Sequence, residues 1–321
     1  MNGLHDVRAP AGPQAAALLD LWHVMLVVCA VVFVLTLAAV IVAVWRAPRV
    51  SEKATPDLGP HPSEAAALRR SVGYAVAASS VLLFVLLFAS FLTDRALADL
   101  PLDGAVRIDL IAHQFWWEAR YDPHRPSLDF TTANELHVPV GRPVLVSLRA
   151  DDVIHSFWVP SLTGKKDLIP GRESTIAFRA DRPGVYRGQC AEFCGYQHAH
   201  MALVVMADSP ADYERWLALQ RQPARAPSSR QEQRGLDLVE RTSCAMCHAI
   251  GGTRAQGRRA PDLTHVGSRS SLGAGTVANT PSLRAAWIAN PHKFKPGVNM
   301  PSLDAEPNDL AAMSAYLGSL Q

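Results

Sequence analysis

Two short segments of this chain gather side chains that can hold metal. The first reads Cys190-Ala-Glu-Phe-Cys194-Gly-Tyr-Gln-His198-Ala-His200-Met201, and a further imidazole stands upstream at His155, in Asp152-Val-Ile-His155-Ser. Thiolate and thioether are soft ligands that select copper, zinc or iron–sulfur. A mononuclear blue-copper centre needs one cysteine, two histidines and a weak methionine. Here there are two cysteines, so the thiolates can bridge two copper ions and leave one histidine for each. Such a centre spreads one electron over two metals and reorganises little on redox change. Structural zinc is the competing reading of the Cys-x3-Cys-x3-His group by itself. Met201 and His155, each taken alone, read as core residues, and His200 competes with His198 as a ligand.

The second segment is Cys244-Ala-Met-Cys247-His248. Cys-x-x-Cys-His reads as c-type haem attachment: two thiols reach the two vinyl groups and the adjacent histidine reaches the iron. A zinc-binding cysteine pair is the alternative. Downstream, Lys295-Pro-Gly-Val-Asn-Met300-Pro301 offers a methionine on a proline-framed loop, and a Met/His axial pair raises a haem potential. Met246, inside the attachment loop, and Met313, in a final helical pattern with Leu310 and Leu317, read as packing residues. His265 is the weaker candidate ligand.

These segments must be positioned by the rest of the chain. With 321 residues and a net charge of +2, it is long enough for about two domains and gives no charge-based case for nucleic acid. From Trp22 to Trp45 and from Val72 to Thr93 there is no charged residue. Each run can cross the roughly 30 Å apolar core of a bilayer as a helix. Arg46, Arg49, Lys53, Arg69 and Arg70 lie between the runs and only Arg8 before them, which makes the connecting loop cytoplasmic and exports everything after Leu100. Cys29, inside the first run, reads as a small buried hydrophobe. With one histidine, His23, the two runs hold no haem or copper of their own and serve as an anchor. Alternation at Val106/Ile108/Leu110, Leu136/Val138/Val140 and Val144/Val146/Leu148, with further apolar runs at 175–178 and 202–205, predicts a β-sandwich or small barrel. Residues 210–220 look helical. Residues 221–234 are polar, basic and proline-bearing, a mobile linker by composition, and residues 236–241 give a helical lead-in to the haem motif.

The segment Cys-x-Glu-x-Cys-x3-His-x2-Met, with its upstream histidine, resembles the binuclear copper (CuA) loop of cytochrome c oxidase subunit II, and the C-terminal part resembles class I cytochromes c through Cys-x-x-Cys-His, Ala260-Pro-Asp-Leu-Thr-His-Val-Gly and Met300. The order of parts resembles the caa3-type subunit II over nearly the whole chain. The resemblance implies a multidomain membrane protein: a transmembrane helical hairpin (1–99, spans about 22–45 and 72–93), an all-β cupredoxin-like CuA domain (100–220), a linker (221–234) and an all-α cytochrome c domain (235–321). By position, Cys190 and Cys194 bridge the coppers, His155 and His198 bind one each, Met201 is axial on one, and the Glu192 carbonyl is the weak ligand on the other. The Glu192 side chain helps bind Mg2+ at the boundary with subunit I. His248 is the proximal and Met300 the distal haem ligand, with Cys244 and Cys247 the covalent attachments.

The family's electron-accepting tryptophan is replaced by Phe115, with Trp116 a substitute, in the aromatic cluster Gln114-Phe-Trp-Trp-Glu118 with Tyr121. Lys166-Asp167-Leu-Ile-Pro170-Gly171-Arg172 matches a stretch that faces subunit I. Glu64 stands near the family's proton-uptake glutamate but lacks its Leu-Glu-x-x-Trp setting. No catalytic residue is expected in this chain, because oxygen reduction to water with proton pumping belongs to subunit I. The implied partners are subunits I and III, the membrane and an external donor such as cytochrome c; the implied location is the bacterial inner membrane, with the soluble domains periplasmic. Alternative functions are the small subunit of a CuA-containing nitric oxide reductase and a membrane-anchored copper-delivery protein.

Overall fold

The computed structural model describes residues 5–47, 62–123, 125 and 128–321, apart from the side chains of 62–64; Glu64 therefore lies outside the described side chains. The chain divides into two units, residues 17–99 and a second unit built from 1–16 with 100–321.

The first unit is carried by α1 (Pro13–Arg46) and α2 (Pro62–Ala98). Both are long and apolar enough to cross a membrane, since about 20 residues at about 1.5 Å each suffice. Their apolar side chains face outward: Phe33 is 68 % and Phe84 71 % exposed. That surface is costly in water and unremarkable in lipid. The one hydroxyl of the first apolar run is satisfied inside its own helix, Thr36 Oγ1 donating to the Val32 carbonyl at 2.8 Å, as an apolar solvent requires. Cys29 departs from its sequence reading. It is exposed on α1 rather than buried, because this helix has no protein core to bury it in.

The second unit opens with the N-terminal residues, which belong to the soluble part rather than to the anchor. The Ala11 N–H donates to the Ser161 carbonyl and the Ala11 carbonyl accepts from Asp181, both at 2.7 Å. Next come β1 (Val106–His113), β2 (Trp116–Tyr121), β3 (Phe130–Ala133), β4 (Glu135–Pro139), β5 (Pro143–Ala150), β6 (His155–Phe157), β7 (Lys166–Leu168), β8 (Ser174–Arg179), β9 (Gly184–Gln189) and β10 (Ala202–Asp208). One sheet has the order β3-β2-β1-β5-β8 and a second β4-β10-β9, with β6 and β7 as a separate pair. β1 runs parallel to β5, with Leu110 beside Leu148, and β10 parallel to β4. The alternation that marks these strands also makes the core: Ile108, Leu110, Val144, Val146 and Leu148 are buried between the layers. α3 (Pro210–Gln220) closes this half. Ser209 caps it by accepting from the Asp212 N–H, and Trp216 stacks on His137 with ring centroids 4.2 Å apart.

The stretch 221–234 is not a free tether. The Ala224 N–H donates to the Gly251 carbonyl at 2.9 Å, and Ser229 already caps α4 (Arg230–Arg241). α5 (Cys244–Cys247), the two-residue strands β11 (Ser271–Leu272) and β12 (Val277–Ala278), α6 (Pro281–Ala289) and α7 (Pro307–Ser319) complete a helical half. α4 and α7 cross at Gly235, where a Cβ would lie 2.6 Å from the Tyr316 Cβ and closer still to the Ala312 carbonyl. Only glycine allows two helices that near. Val239, Ile250, Met313, Tyr316 and Leu317 form the core beneath the crossing.

Candidate metal centre and haem loop

The copper-type donors converge from three places in the β half. His155 begins β6, Cys190 follows β9, and Cys194, His198 and Met201 lie on the loop that leads into β10. Cys190 Sγ is 3.8 Å from Cys194 Sγ and 3.8 Å from His155 Nδ1. Cys194 Sγ is 3.6 Å from His198 Nδ1 and 3.8 Å from Met201 Sδ. The Glu192 carbonyl lies 3.2 Å from Cys190 Sγ. Six donors are thus linked through the two sulfurs. The two sulfurs are free thiols, well beyond the roughly 2 Å of a disulfide. His155, Cys190 and Cys194 are the one cluster of three His, Cys, Asp or Glu ligand atoms among the described residues, and all three are buried.

His198 and His200 both lie on a 3-10 turn. It turns His198 to the sulfur, while His200 Nδ1 meets Gln197 Oε1 at 2.8 Å. The hydrogen bond between the two sulfurs holds the Cys190 thiol far below the usual thiol range and pushes Cys194 up in turn. A pair that shares one proton releases it to an arriving soft cation. Burial pushes His155 down, but the Asp152 carboxylate, 2.8 Å from its Nε2, and the Cys190 sulfur outweigh it and raise its pKa.

Several further residues support these ligands. Asp152 also accepts from the Gln114 N–H at 2.6 Å, and Gln114 Nε2 donates to the Cys194 carbonyl at 2.5 Å. Trp117 is fully buried; its ring stands 6.2 Å from His155 and its Nε1–H lies 3.5 Å from the Met201 carbonyl. Gly195, at φ +119°, leaves space for the Phe115 ring, which a Cβ would approach to 3.3 Å. An aspartate three residues before a candidate ligand histidine was the one readable hint, since ligand histidines commonly donate their second nitrogen to a carboxylate. Phe115 is buried beside this loop, and Trp116 stacks on His113 at 4.4 Å. The Glu192 carboxylate is half exposed, 3.7 Å from Lys165 Nζ.

In the helical half, Cys244 and Cys247 sit half-buried on α5, both free thiols. His248 Nδ1 is 2.6 Å from the Pro261 carbonyl, which fixes Nδ1 as the donor and leaves Nε2 as the ligating atom. Burial lowers the His248 pKa, keeping the ring neutral as a ligand must be. Met300 is half-buried on the bend before α7. His265 is not free to ligate: Nδ1 faces the Gln321 carbonyl and Nε2 the Gln222 carbonyl, each at 3.1 Å. Met313 is buried in the core, whereas Met246, read from sequence as packing, is 71 % exposed, because the short α5 turns its middle outward. The Arg269 guanidinium is buried and bonds the Asp262 carbonyl, while its Nε has no hydrogen-bond partner among the described residues.

The two halves touch beside the copper-type loop. Lys295 Nζ, fully buried, donates to the Phe115 carbonyl at 2.7 Å and the Gly273 carbonyl at 2.8 Å. Burial pushes its pKa down to about 7, against the pull of the Cys194 sulfur. A cavity of about 120 Å³ lies between the halves, walled by Glu135 and His137 on one side and by His265 and Arg269 on the other.

Comparison with known proteins places these features in a family. Residues 127–208 match a family model described as "Cytochrome C oxidase subunit II, periplasmic domain", and residues 232–321 match one for cytochrome c. A cytochrome c oxidase subunit 2 of Alkalihalophilus pseudofirmus is 37 % identical over 220 residues, 68 % of this chain and 62 % of the relative. One from Bacillus subtilis is 32 % identical over 263 residues, 75 % of this chain and 72 % of the relative. The chain thus spans somewhat under two thirds of the first relative's length and somewhat over two thirds of the second's. Among solved structures, the periplasmic domain of subunit II of cytochrome oxidase of Bradyrhizobium japonicum shares 27 % identity, with a TM-score of 0.33, covering 36 % of this chain and 93 % of that one.

Proposed function

The chain belongs to the cytochrome c oxidase subunit 2 family, and from that premise we propose that it is the electron-input subunit of a haem–copper terminal oxidase, passing electrons from its cytochrome half through its copper half to an oxygen-reducing subunit I. The observation that carries this reading is that two buried free thiols contact each other, two imidazoles and a thioether, with a haem-attachment motif in the same unit.

The donor set fits a dinuclear copper centre. Two sulfurs 3.8 Å apart can be shared by two ions, and each sulfur already faces its own histidine. In this reading Cys190 and Cys194 would be shared by the two ions, His155 and His198 would each serve one, and Met201 and the Glu192 carbonyl would add weak ligands. Copper bound there supplies a one-electron couple spread over two ions. Asp152 and Trp117 hold His155 and the Met201 backbone in place, and the buried setting excludes water. The helical half fits haem c: Cys244 and Cys247 would attach it, His248 would offer Nε2 and Met300 would supply the second ligand. Arg269 lies close enough to His248 to lower its pKa, so its unpartnered Nε suits an anionic propionate. Bound haem supplies a one-electron iron couple. In this reading the reduction of oxygen to water belongs to subunit I.

The finer parts of the reading follow the same logic. α1 and α2 anchor the chain as a two-pass protein in the bacterial inner membrane, with the soluble halves in the periplasm. Subunits I and III are its neighbours, and a periplasmic carrier such as cytochrome c is its donor. Glu192 offers one carboxylate to a boundary Mg2+, whose remaining ligands come from subunit I. The domain limits near 99/100, 220/221 and 234/235 separate anchor, copper half, connecting stretch and cytochrome half. Names of relatives weigh for an oxidase over the nitric oxide reductase and copper-delivery alternatives.

A spectrum of the purified chain tests the proposal. We expect two coppers with a mixed-valence copper band and one reduced haem c band per chain. A chain with zinc in the loop and no haem band would refute it.

A further inference from the structure

The surface between the two soluble halves is built from polar side chains that are buried, which chance contacts do not produce. Lysine is almost never fully buried unless its ammonium is paired, and removing it from water is costly unless hydrogen bonds offset that loss. Lys295 is 1 % exposed, and its two acceptors sit on opposite sides of the surface: Phe115 in the copper half and Gly273 in the cytochrome half. Gly273 begins the tip of the β11–β12 hairpin. The next residue, Ala274, is buried at φ +58°, a backbone region that an L residue with a Cβ adopts only under steric strain. In that conformation its carbonyl accepts the Ala202 N–H at 3.1 Å, directly after Met201 of the copper loop. Beside it, Gln197 Nε2 donates to the Pro296 carbonyl at 2.8 Å. A reciprocal contact runs the other way. Glu135 of the copper half, 5 % exposed, accepts from the Ser270 N–H at 2.8 Å and the Ser270 hydroxyl at 2.6 Å, and the Arg269 cation stands near it.

We propose that Lys295 is a positioning residue that latches the β11–β12 hairpin of the cytochrome half onto the copper loop, with Glu135 as its counterpart, and so holds the two redox halves at a fixed separation. The latch rests on the electron-input reading for its purpose but not for its existence. It converts a tethered encounter into a seated one, raising the fraction of time in which the halves stand close enough for transfer. It also explains a strained alanine and a buried ammonium that neither metal site needs.

Amide hydrogen exchange on the full-length chain tests the latch independently of electron flow. In Lys295→Met, exchange of residues 270–278 and 201–203 should rise about tenfold or more, because two hydrogen bonds from a charged group are lost. Exchange in β1 and α7 should stay as in the wild type, and Lys295→Arg should restore much of the protection. Unchanged exchange at 270–278 in Lys295→Met overturns the proposal. If exchange rises throughout β1 as well, the fold is at fault and Glu135→Gln decides: loosening of 270–278 alone supports the latch, and no change there overturns it. Haem-to-copper transfer, measured alongside, should slow in the loosened variant. A wild-type chain that keeps its protected hairpin yet transfers no electron would refute the electron-input reading and leave the latch standing.

Discussion

A chain carrying Cys194→Ser is expected to lose its dinuclear copper while keeping its haem. Cys194 Sγ contacts three other donors, those of Cys190, His198 and Met201, so it ties the loop's own ligands to one another. Serine replaces a soft, polarisable thiolate with a hard oxygen that remains protonated near neutral pH, and one sulfur cannot bridge two ions symmetrically. Even residues behind the ligands typically cost about 10–100-fold in metal affinity; loss of a bridging ligand should exceed that range. Metal analysis should find fewer than two coppers per chain, and the mixed-valence band should vanish. The reduced haem band should persist, because Cys244 packs against the separate core of the cytochrome half and Cys247 and His248 follow it on and after α5. Full copper loading with an unchanged band would show that the loop does not hold the metal as argued.

Gly235→Ala carries the second large effect, and here two terms of opposite sign compete. Inside a helix, alanine is favoured over glycine by about 1 kcal/mol. Against this, the added methyl meets the Ala312 carbonyl and the Tyr316 Cβ, the latter at 2.6 Å. Those are backbone and near-backbone atoms, unable to swing aside as a side-chain tip would. The helices must separate, which opens the core at Val239 and Tyr316 and costs about 3 kcal/mol or more. The clash wins. Thermal unfolding of the cytochrome half should fall by about 10 °C, at roughly 4–8 °C per kcal/mol for a domain of this size, while the copper band stays. A midpoint at or above the wild-type value would mean that the helices do not cross at this residue.

Much of the site was readable because its residues are local in sequence. Cys190, Cys194, His198 and Met201 lie on one loop, and Cys244, Cys247 and His248 on one turn, so spacing alone brings them near one another. The strands were legible for a related reason: alternation is a local pattern, and helix α3 carries its own serine cap. Residues that depend on tertiary context were not legible. Lys295 is remote in sequence from Phe115, and nothing in Lys-Pro-Gly marks a buried ammonium. Trp117 looked like any core aromatic until its ring fell beside His155. Cys29 and Met246 were misjudged by the same assumption, that apolar side chains are buried by protein. Cys29 sits on a helix with no protein around it, and Met246 on a helix too short to bury its middle. The stretch 221–234 has the composition of a linker, yet composition is blind to the Gly251 carbonyl that receives Ala224.

The central claim is that one chain carries electrons from its own haem to its own copper, and rapid mixing of the purified, copper- and haem-loaded chain with a reductant selective for the haem measures this directly. The account predicts that the reduced haem band decays as the copper band bleaches, with a rate independent of protein concentration. A rate that rises in proportion to concentration, or a haem that stays reduced beside oxidised copper, would contradict it.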